Sequence, residues 1–271
     1  RFLALAGAAG LGTALYTWQW EPHWLQIVRR KLPVANLPSG LAGGTLAHLS
    51  DLHIGPRVDD DYLLSVFERV KSHSPEIVVY TGDFTSSDAD AFSHVRRLFP
   101  RLPLGSRGTF GVLGNHDYGP GWGNGEVADT IAASAEKAGV QILRNETGNA
   151  DGLKVVGMDE LWAGRFEPRK ALESLKAGAP AIALSHNPDT ADRDGWGDYA
   201  GWILAGHTHG GQCKPPFLPP PLLPVENRRY TSGVFDLSDG RRMYISRGVG
   251  YLMQVRFNVR PEVTIFELVE S

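Results

Sequence analysis

Apolar positions fall along this chain in three rhythms. The first has no period: Phe2–Trp20 reads FLALAGAAGLGTALYTWQW and carries no charge until Glu21. As a helix it reaches roughly 28 Å, near the thickness of a bilayer core. Trp18, Trp20 and Trp24 at its end suit a headgroup belt, although the Gly and Ala content makes it a weak spanner. With no A-x-A site after the run, it predicts an uncleaved anchor or signal-like helix over residues 1–21, ahead of one folded domain over 22–271. A buried core helix is the competing reading.

The second rhythm is that of short strands. Leu25–Lys31, Thr45–Leu49, Ile77–Tyr80, Thr109–Leu113, Leu153–Met158, Ala181–Leu184 and Trp202–Leu204 predict strands, and Ile77-Val78-Val79-Tyr80 suits one buried on both faces. The third is helical. Leu63, Leu64, Phe67 and Val70 follow Asp59-Asp60-Asp61 at helical spacing, and Ala89–Phe99 and Ala128–Ala138 predict two more helices. Strands alternating with helices indicate an α/β domain. Pro215–Pro224 holds six prolines and can form neither helix nor central strand. Beyond it, Tyr230–Leu237, Met243–Ser246 and Val263–Leu268 predict strands joined by turns at Ser238-Asp239-Gly240 and Gly248–Gly250.

Composition narrows the function classes. With 271 residues, 42% hydrophobic and 21% charged, the chain is neither a disordered tail nor a multi-span membrane protein. Its 27 basic and 30 acidic residues give a net charge of −3, so nothing points to nucleic acid. A single cysteine, Cys213, excludes a disulfide framework and a thiolate zinc site.

The chemistry lies just past the end of each strand, where ligands gather in α/β sheets. Five strand ends deliver Asp51-Leu52-His53, Gly82-Asp83, Gly114-Asn115-His116-Asp117, Ser185-His186-Asn187 and Gly206-His207-Thr208-His209. Each alone is ordinary turn chemistry; five together are not. Carboxylate, amide and imidazole without thiolate select Mn, with Fe, Ni or Zn as neighbours. Asp51 and His53, two apart on an extended segment, point the same way, and His207 and His209 repeat the arrangement. Seven donors exceed the needs of one ion, so two divalent ions are expected, and Asp83, alone in its loop, is the candidate bridging carboxylate.

In this order and spacing the blocks D-x-H, G-D, G-N-H-D, H and G-H-x-H resemble the calcineurin-like metallophosphoesterases. The resemblance implies a four-layer α-β-β-α sandwich with a dinuclear centre. It implies a first ion on Asp51, His53, Asp83 and His209 and a second on Asp83, Asn115, His186 and His207. His116 is then a general acid or charge stabiliser at the scissile phosphate, with Asp117 orienting its ring. Ser185–Asp189, Gly206–Gln212, Ser246-Arg247-Gly248 and Phe257–Glu262 are similar to the membrane-anchored bacterial branch linked to UDP-2,3-diacylglucosamine hydrolase activity in lipid A synthesis. The implied function is hydrolysis of a phosphoester or pyrophosphate bond in a phosphorylated small molecule or lipid-linked sugar nucleotide, at the bacterial cytoplasmic membrane. A broad phosphodiesterase or nucleotide phosphatase is the alternative within enzymes. A non-catalytic metal-binding scaffold is the alternative outside them.

Among other residues, Arg247 is the leading candidate for substrate phosphate, ahead of Arg57, Arg256 and Arg260, because a guanidinium fork matches phosphate oxygens. His48 reads as packing, His23, His73 and His94 as solvated, Cys213 as a small half-buried residue, and the proline run as a stiff loop beside the site mouth.

Overall fold

The computed structural model describes residues 10–88 and 90–271. Twelve strands form two six-stranded sheets among these residues. The first runs β1 (Gln26–Val34), β12 (Glu262–Glu270), β2 (Thr45–Leu49), β3 (Ile77–Thr81), β4 (Gly108–Val112), β5 (Gln141–Ile142). The second runs β10 (Gly233–Asp236), β11 (Arg242–Ile245), β9 (Trp202–Ala205), β8 (Ala181–Leu184), β7 (Leu153–Gly157), β6 (Glu146–Ala150). The strands that lead to the candidate residues, β2, β3 and β4 in one sheet and β8 and β9 in the other, are parallel to their neighbours within this set. Their carboxyl ends therefore share one edge of each sheet.

Alternation along the strands builds the layers. Leu46, Val79, Phe110, Leu184, Leu204 and Phe266 meet in one buried cluster between the sheets. The intervening residues, such as Ala47, Val78 and Tyr80, turn outward. There they pack under the helices Asp60–Lys71, Ala91–Leu98 and Gly125–Lys137 through Leu63, Phe67, Val95 and Ile131. Over the second sheet the cover is thinner, one short helix Pro168–Leu172 and loops carrying Trp196 and Tyr199 against Ala183, Ile203 and Ile245. The expected helix–sheet–sheet–helix order is thus present, with one outer layer built mainly from loop aromatics. Helix starts follow capping chemistry: the Asp59 carboxylate accepts from the Tyr62 N–H, and the Asn124 side chain accepts from Glu126 and Val127.

Two differences from the sequence expectation have clear causes. β1 extends through Pro33 because it is an edge strand, where a residue without an N–H is tolerated. β6, ETGNA, has no apolar rhythm; it exists because it pairs antiparallel with β7, from Glu146 opposite Gly157 to Ala150 opposite Leu153.

The expected anchor falls partly outside the described residues. Residues 10–15 are helical and pass into a wider π-helical turn at Tyr16–Trp20. No helix among the described residues is long and apolar enough to cross a membrane. From Thr17 the segment is joined to the body. The Thr17 carbonyl accepts from the Arg256 N–H at 3.0 Å, the Trp18 carbonyl from Gln254 Nε2 at 3.0 Å, and the buried Glu21 carboxylate from the Val259 N–H at 2.6 Å. His23, expected to be solvated, instead lies between the Gln19 carbonyl and the Tyr251 hydroxyl, edge-on to Tyr62.

Candidate metal centre

The two sheets bring their loops together at one edge, and two buried groups of donor atoms form there. Asp51, His53 and His209 make one; Asp83, His186 and His207 make the other. Each combines residues from both sheets. In the first group His53 Nε2 lies 2.9 Å from His209 Nε2, and His209 Nε2 lies 3.4 Å from Asp51 Oδ1. In the second, His186 Nε2 lies 3.1 Å from His207 Nδ1 and 3.1 Å from Asn115 Oδ1. Asp83 Oδ2 stands between the groups, 3.6 Å from His53 Nε2 and 3.2 Å from His186 Nε2. All seven sequence-predicted donors are thus gathered in one place.

Carbonyls behind two of the four rings orient them. His186 Nδ1 meets the Thr81 carbonyl at 2.7 Å and His207 Nε2 meets the Pro224 carbonyl at 2.8 Å. Each of these nitrogens must carry a proton to donate, so in the neutral ring it is the other nitrogen that faces the cluster as a donor atom. Pro224 ends the proline run, so that stiff loop is a support for His207.

The donors suit divalent cations. Burial pushes His53 and His207 down to about 3 and His209 well below the usual imidazole range, so these rings are neutral. Burial pushes the Asp51 carboxyl up to about 7. Burial would also raise Asp83, but the His186 ring beside it outweighs this and holds the carboxyl well below its ordinary value; in turn, and despite burial, the Asp83, Asp51 and Glu160 carboxylates raise His186 well above the usual imidazole range. Three neutral imidazoles and a shared carboxylate, with no thiolate, suit metal ligation, and a divalent cation would take the place of the His186 proton.

The backbone departs from the extended geometry expected for Asp51 and His53. Five of the seven donors have left-handed φ: Asp51 +54°, His53 +48°, Asp83 +50°, His207 +69° and His209 +49°. Each costs about 1–3 kcal/mol for a residue with a side chain, a load that concentrates at functional sites. The curled segments are zipped together, with the Asp51 N–H on the Gly82 carbonyl and the His53 N–H on the Asp83 carbonyl, both at 3.0 Å. Close approach explains a glycine too: a Cβ on Gly206 would stand 1.8 Å from Ser50 Oγ and 2.4 Å from Asp51 Oδ2.

His116 stands beside this cluster, its ring 5.2 Å from that of His53 and its N–H on Asp83 Oδ1 at 2.9 Å. Asp117 does not touch its ring, contrary to expectation. The Asp117 carboxylate instead accepts from the N–H groups of Phe84, Thr85 and Gly114, tying two loops together. The ring's partner is Ser87, whose Oγ lies 2.9 Å from His116 Nδ1 and 3.2 Å from the His116 carbonyl. Both contacts are made at once only if Nδ1–H donates to Oγ and the hydroxyl donates to the carbonyl, leaving Nε2 free. Sequence reasoning missed Ser87; the only signal was its place in the loop that carries Asp83.

None of the four candidate arginines presents a free fork to a phosphate, and Arg256 Nη2 instead lies 3.4 Å from His209 Nδ1. Arg247 donates from Nε to Glu262 and from Nη2 to Gln26 Oε1 at 3.1 Å, which is not the disposition of a free phosphate fork. Arg57 pairs with Asp88, Arg260 stacks 3.8 Å over Trp24, and the fully buried Arg256 donates to the Val259 and Gly250 carbonyls. His48 packs between Tyr244 and Phe266, and His94 pairs with Asp60.

Residues 44–211, which hold all seven donors and His116, match the calcineurin-like phosphoesterase family. The chain is 34% identical over 276 residues to the phosphodiesterase YaeI of Escherichia coli (strain K12), covering 98% of this chain and 95% of that one. It is 30% identical to the uncharacterized metallophosphoesterase YkuE of Bacillus subtilis (strain 168), covering 98% and 92%. It is 27% identical to the UDP-2,3-diacylglucosamine pyrophosphatase LpxG of Chlamydia trachomatis serovar D, covering 97% and 98%. A family match across more than half its length, and a relative alike along nearly all of it, meet on the same buried donors: the chain belongs to the calcineurin-like phosphoesterase family.

Proposed function

We propose that this phosphoesterase hydrolyses a phosphodiester or pyrophosphate bond with two divalent ions, one held by Asp51, His53, Asp83 and His209, the other by Asp83, Asn115, His186 and His207. The observation that carries the reading is Asp83, whose carboxylate faces a histidine of each group while holding the His116 N–H. Bound divalent ions supply Lewis acidity and lower the pKa of water. The protein's part is to place charge and protons. Asp83 sets negative charge between the two groups. His116, its Nδ1–H held by Ser87, has Nε2 free to take up a proton, and the imidazolium so formed would give that proton to the oxygen that leaves phosphorus and return to the neutral ring. Asp117 keeps the Asp83 loop and the His116 turn in register.

The substrate we assign is a lipid-linked sugar nucleotide at a membrane surface. Support comes from likeness to LpxG along 97% of this chain. The exposed Leu11, Leu15, Trp18 and Trp20, on the segment leading into the domain, support the membrane side of the reading. The test is metal analysis with a panel of phosphomonoester, phosphodiester and sugar-nucleotide lipid. Two ions per chain, loss of turnover with chelator and return with Mn²⁺ are expected. Full turnover by metal-free protein overturns the reading.

A further inference from the structure

Two tryptophans stand beside the metal centre with no part in the chemistry above. Trp122 lies in the loop between His116 and the helix Gly125–Lys137, and Trp162 in the loop after β7. Their rings are 4.9 Å apart with planes tilted by 30°. Trp122 is edge-on to His116 at 6.1 Å, and Trp162 is edge-on to His207 at 4.5 Å. His116, Trp122, Trp162 and His207 thus form a continuous row of rings along the side where His116 remains partly exposed. Trp122 is 38% and Trp162 36% exposed, so indole surface remains open to solvent next to the reacting groups. Trp122 also has φ +58°, between Gly121 and Gly123, a conformation that bulky residues rarely adopt.

We propose that Trp122 and Trp162 form a stacking platform for a planar aromatic substituent of the scissile phosphate, a nucleobase or aryl ring. This deepens the phosphoesterase reading and rests on it. Indole faces attract flat π-systems in offset or tilted arrangements, and the pair offers two such faces within reach of His116 and His207. Stacking of this kind tolerates different bases because every base has a π-face. A platform beside the metal centre therefore selects for aromatic character more than for a particular base.

The test compares manganese-loaded wild-type enzyme with Trp122→Ala, Trp162→Ala and the double variant W122F/W162F. Substrates are bis(p-nitrophenyl) phosphate and the dialkyl ester glycerophosphocholine, with metal content measured throughout. Each alanine variant should lose roughly 5- to 160-fold in kcat/KM on the aryl ester. Both should keep their metal and their rate on the alkyl ester, and the phenylalanine pair should recover most of the loss. Binding of uridine 5′-monophosphate, followed by tryptophan fluorescence, should weaken in the alanine variants in parallel. Equal losses on both substrates, or unchanged binding of the nucleotide, overturn the platform while the hydrolase stands. If wild-type protein cleaves neither ester, the phosphoesterase reading fails, and the nucleotide binding still decides the platform. A variant that loses metal marks that tryptophan as a support of His207 or His116, which also overturns the proposal.

Discussion

Replacing Ser87 by alanine tests the assignment of His116 most directly. The hydroxyl makes two contacts, 2.9 Å to Nδ1 and 3.2 Å to the carbonyl of the same residue, and no donor of the metal groups. A neutral hydrogen bond of this length contributes about 0.5–1.5 kcal/mol net. If it acts by holding the ring, Ser87→Ala lowers kcat roughly 2- to 13-fold, with KM and metal content unchanged. A double-mutant cycle makes the inference strict. In a His116→Ala background there is no ring left to hold, so Ser87→Ala should cost nothing further, a coupling of about 1 kcal/mol. The assay is turnover of bis(p-nitrophenyl) phosphate by manganese-loaded protein, with metal measured on the same samples. Independent, additive losses from the two substitutions refute the reasoning, as does loss of metal from Ser87→Ala.

Three further outcomes are expected. Asp83→Ala should lose metal and activity together, whereas His116→Ala should keep two ions and lose turnover by roughly 10²- to 10⁴-fold; elemental analysis separates them. Burial lowers His48 from 6.5 to about 3, so the unfolded chain takes up that proton first. The stability this gives is full above about pH 6.5 and falls as pH drops toward about 3, by up to about 1.4 kcal/mol per pH unit. His48→Gln should flatten the denaturant-derived stability curve by that slope between about pH 6 and about pH 4; an unchanged slope refutes the assignment. Removing residues 1–15 should leave metal content intact, whereas removing residues 1–20 should lower the melting temperature, because it deletes the Thr17 and Trp18 carbonyls that hold Arg256 and Gln254.

What the sequence makes legible here is strand ends. A strand's alternation and the polar residue just past it are local, so Thr45–Leu49 and Ala181–Leu184 stand where the pattern puts them, with Asp51 and His186 two residues further on. Backbone hand is not local in that sense. Nothing in Asp-Leu-His announces two left-handed residues, because their conformation is set by bonds to the Gly82 and Asp83 carbonyls, just past the neighbouring strand β3. The same holds for Asp117, adjacent to His116 in sequence but turned toward the N–H groups of Phe84 and Thr85. Polar β6 is invisible in sequence because its partner strand, not its composition, makes it a strand. His23 looks solvated in sequence because Tyr62 and Tyr251, which enclose it, come from far along the chain.

That each donor group takes residues from both sheets has a mechanical meaning. Asp51 and His53 leave the first sheet and His209 the second; Asp83 leaves the first and His186 and His207 the second. Ions bound there would act as rivets through the open edge of a sandwich that elsewhere is held mainly by side-chain packing. Opening the two sheets from that edge would then require breaking metal–ligand bonds first. Loading should thus slow amide exchange in β2, β3, β8 and β9 together, across both sheets, in proportion to ion concentration over its dissociation constant. Substitution of a single histidine would then loosen one such tie and leave the other group, which also spans both sheets, in place.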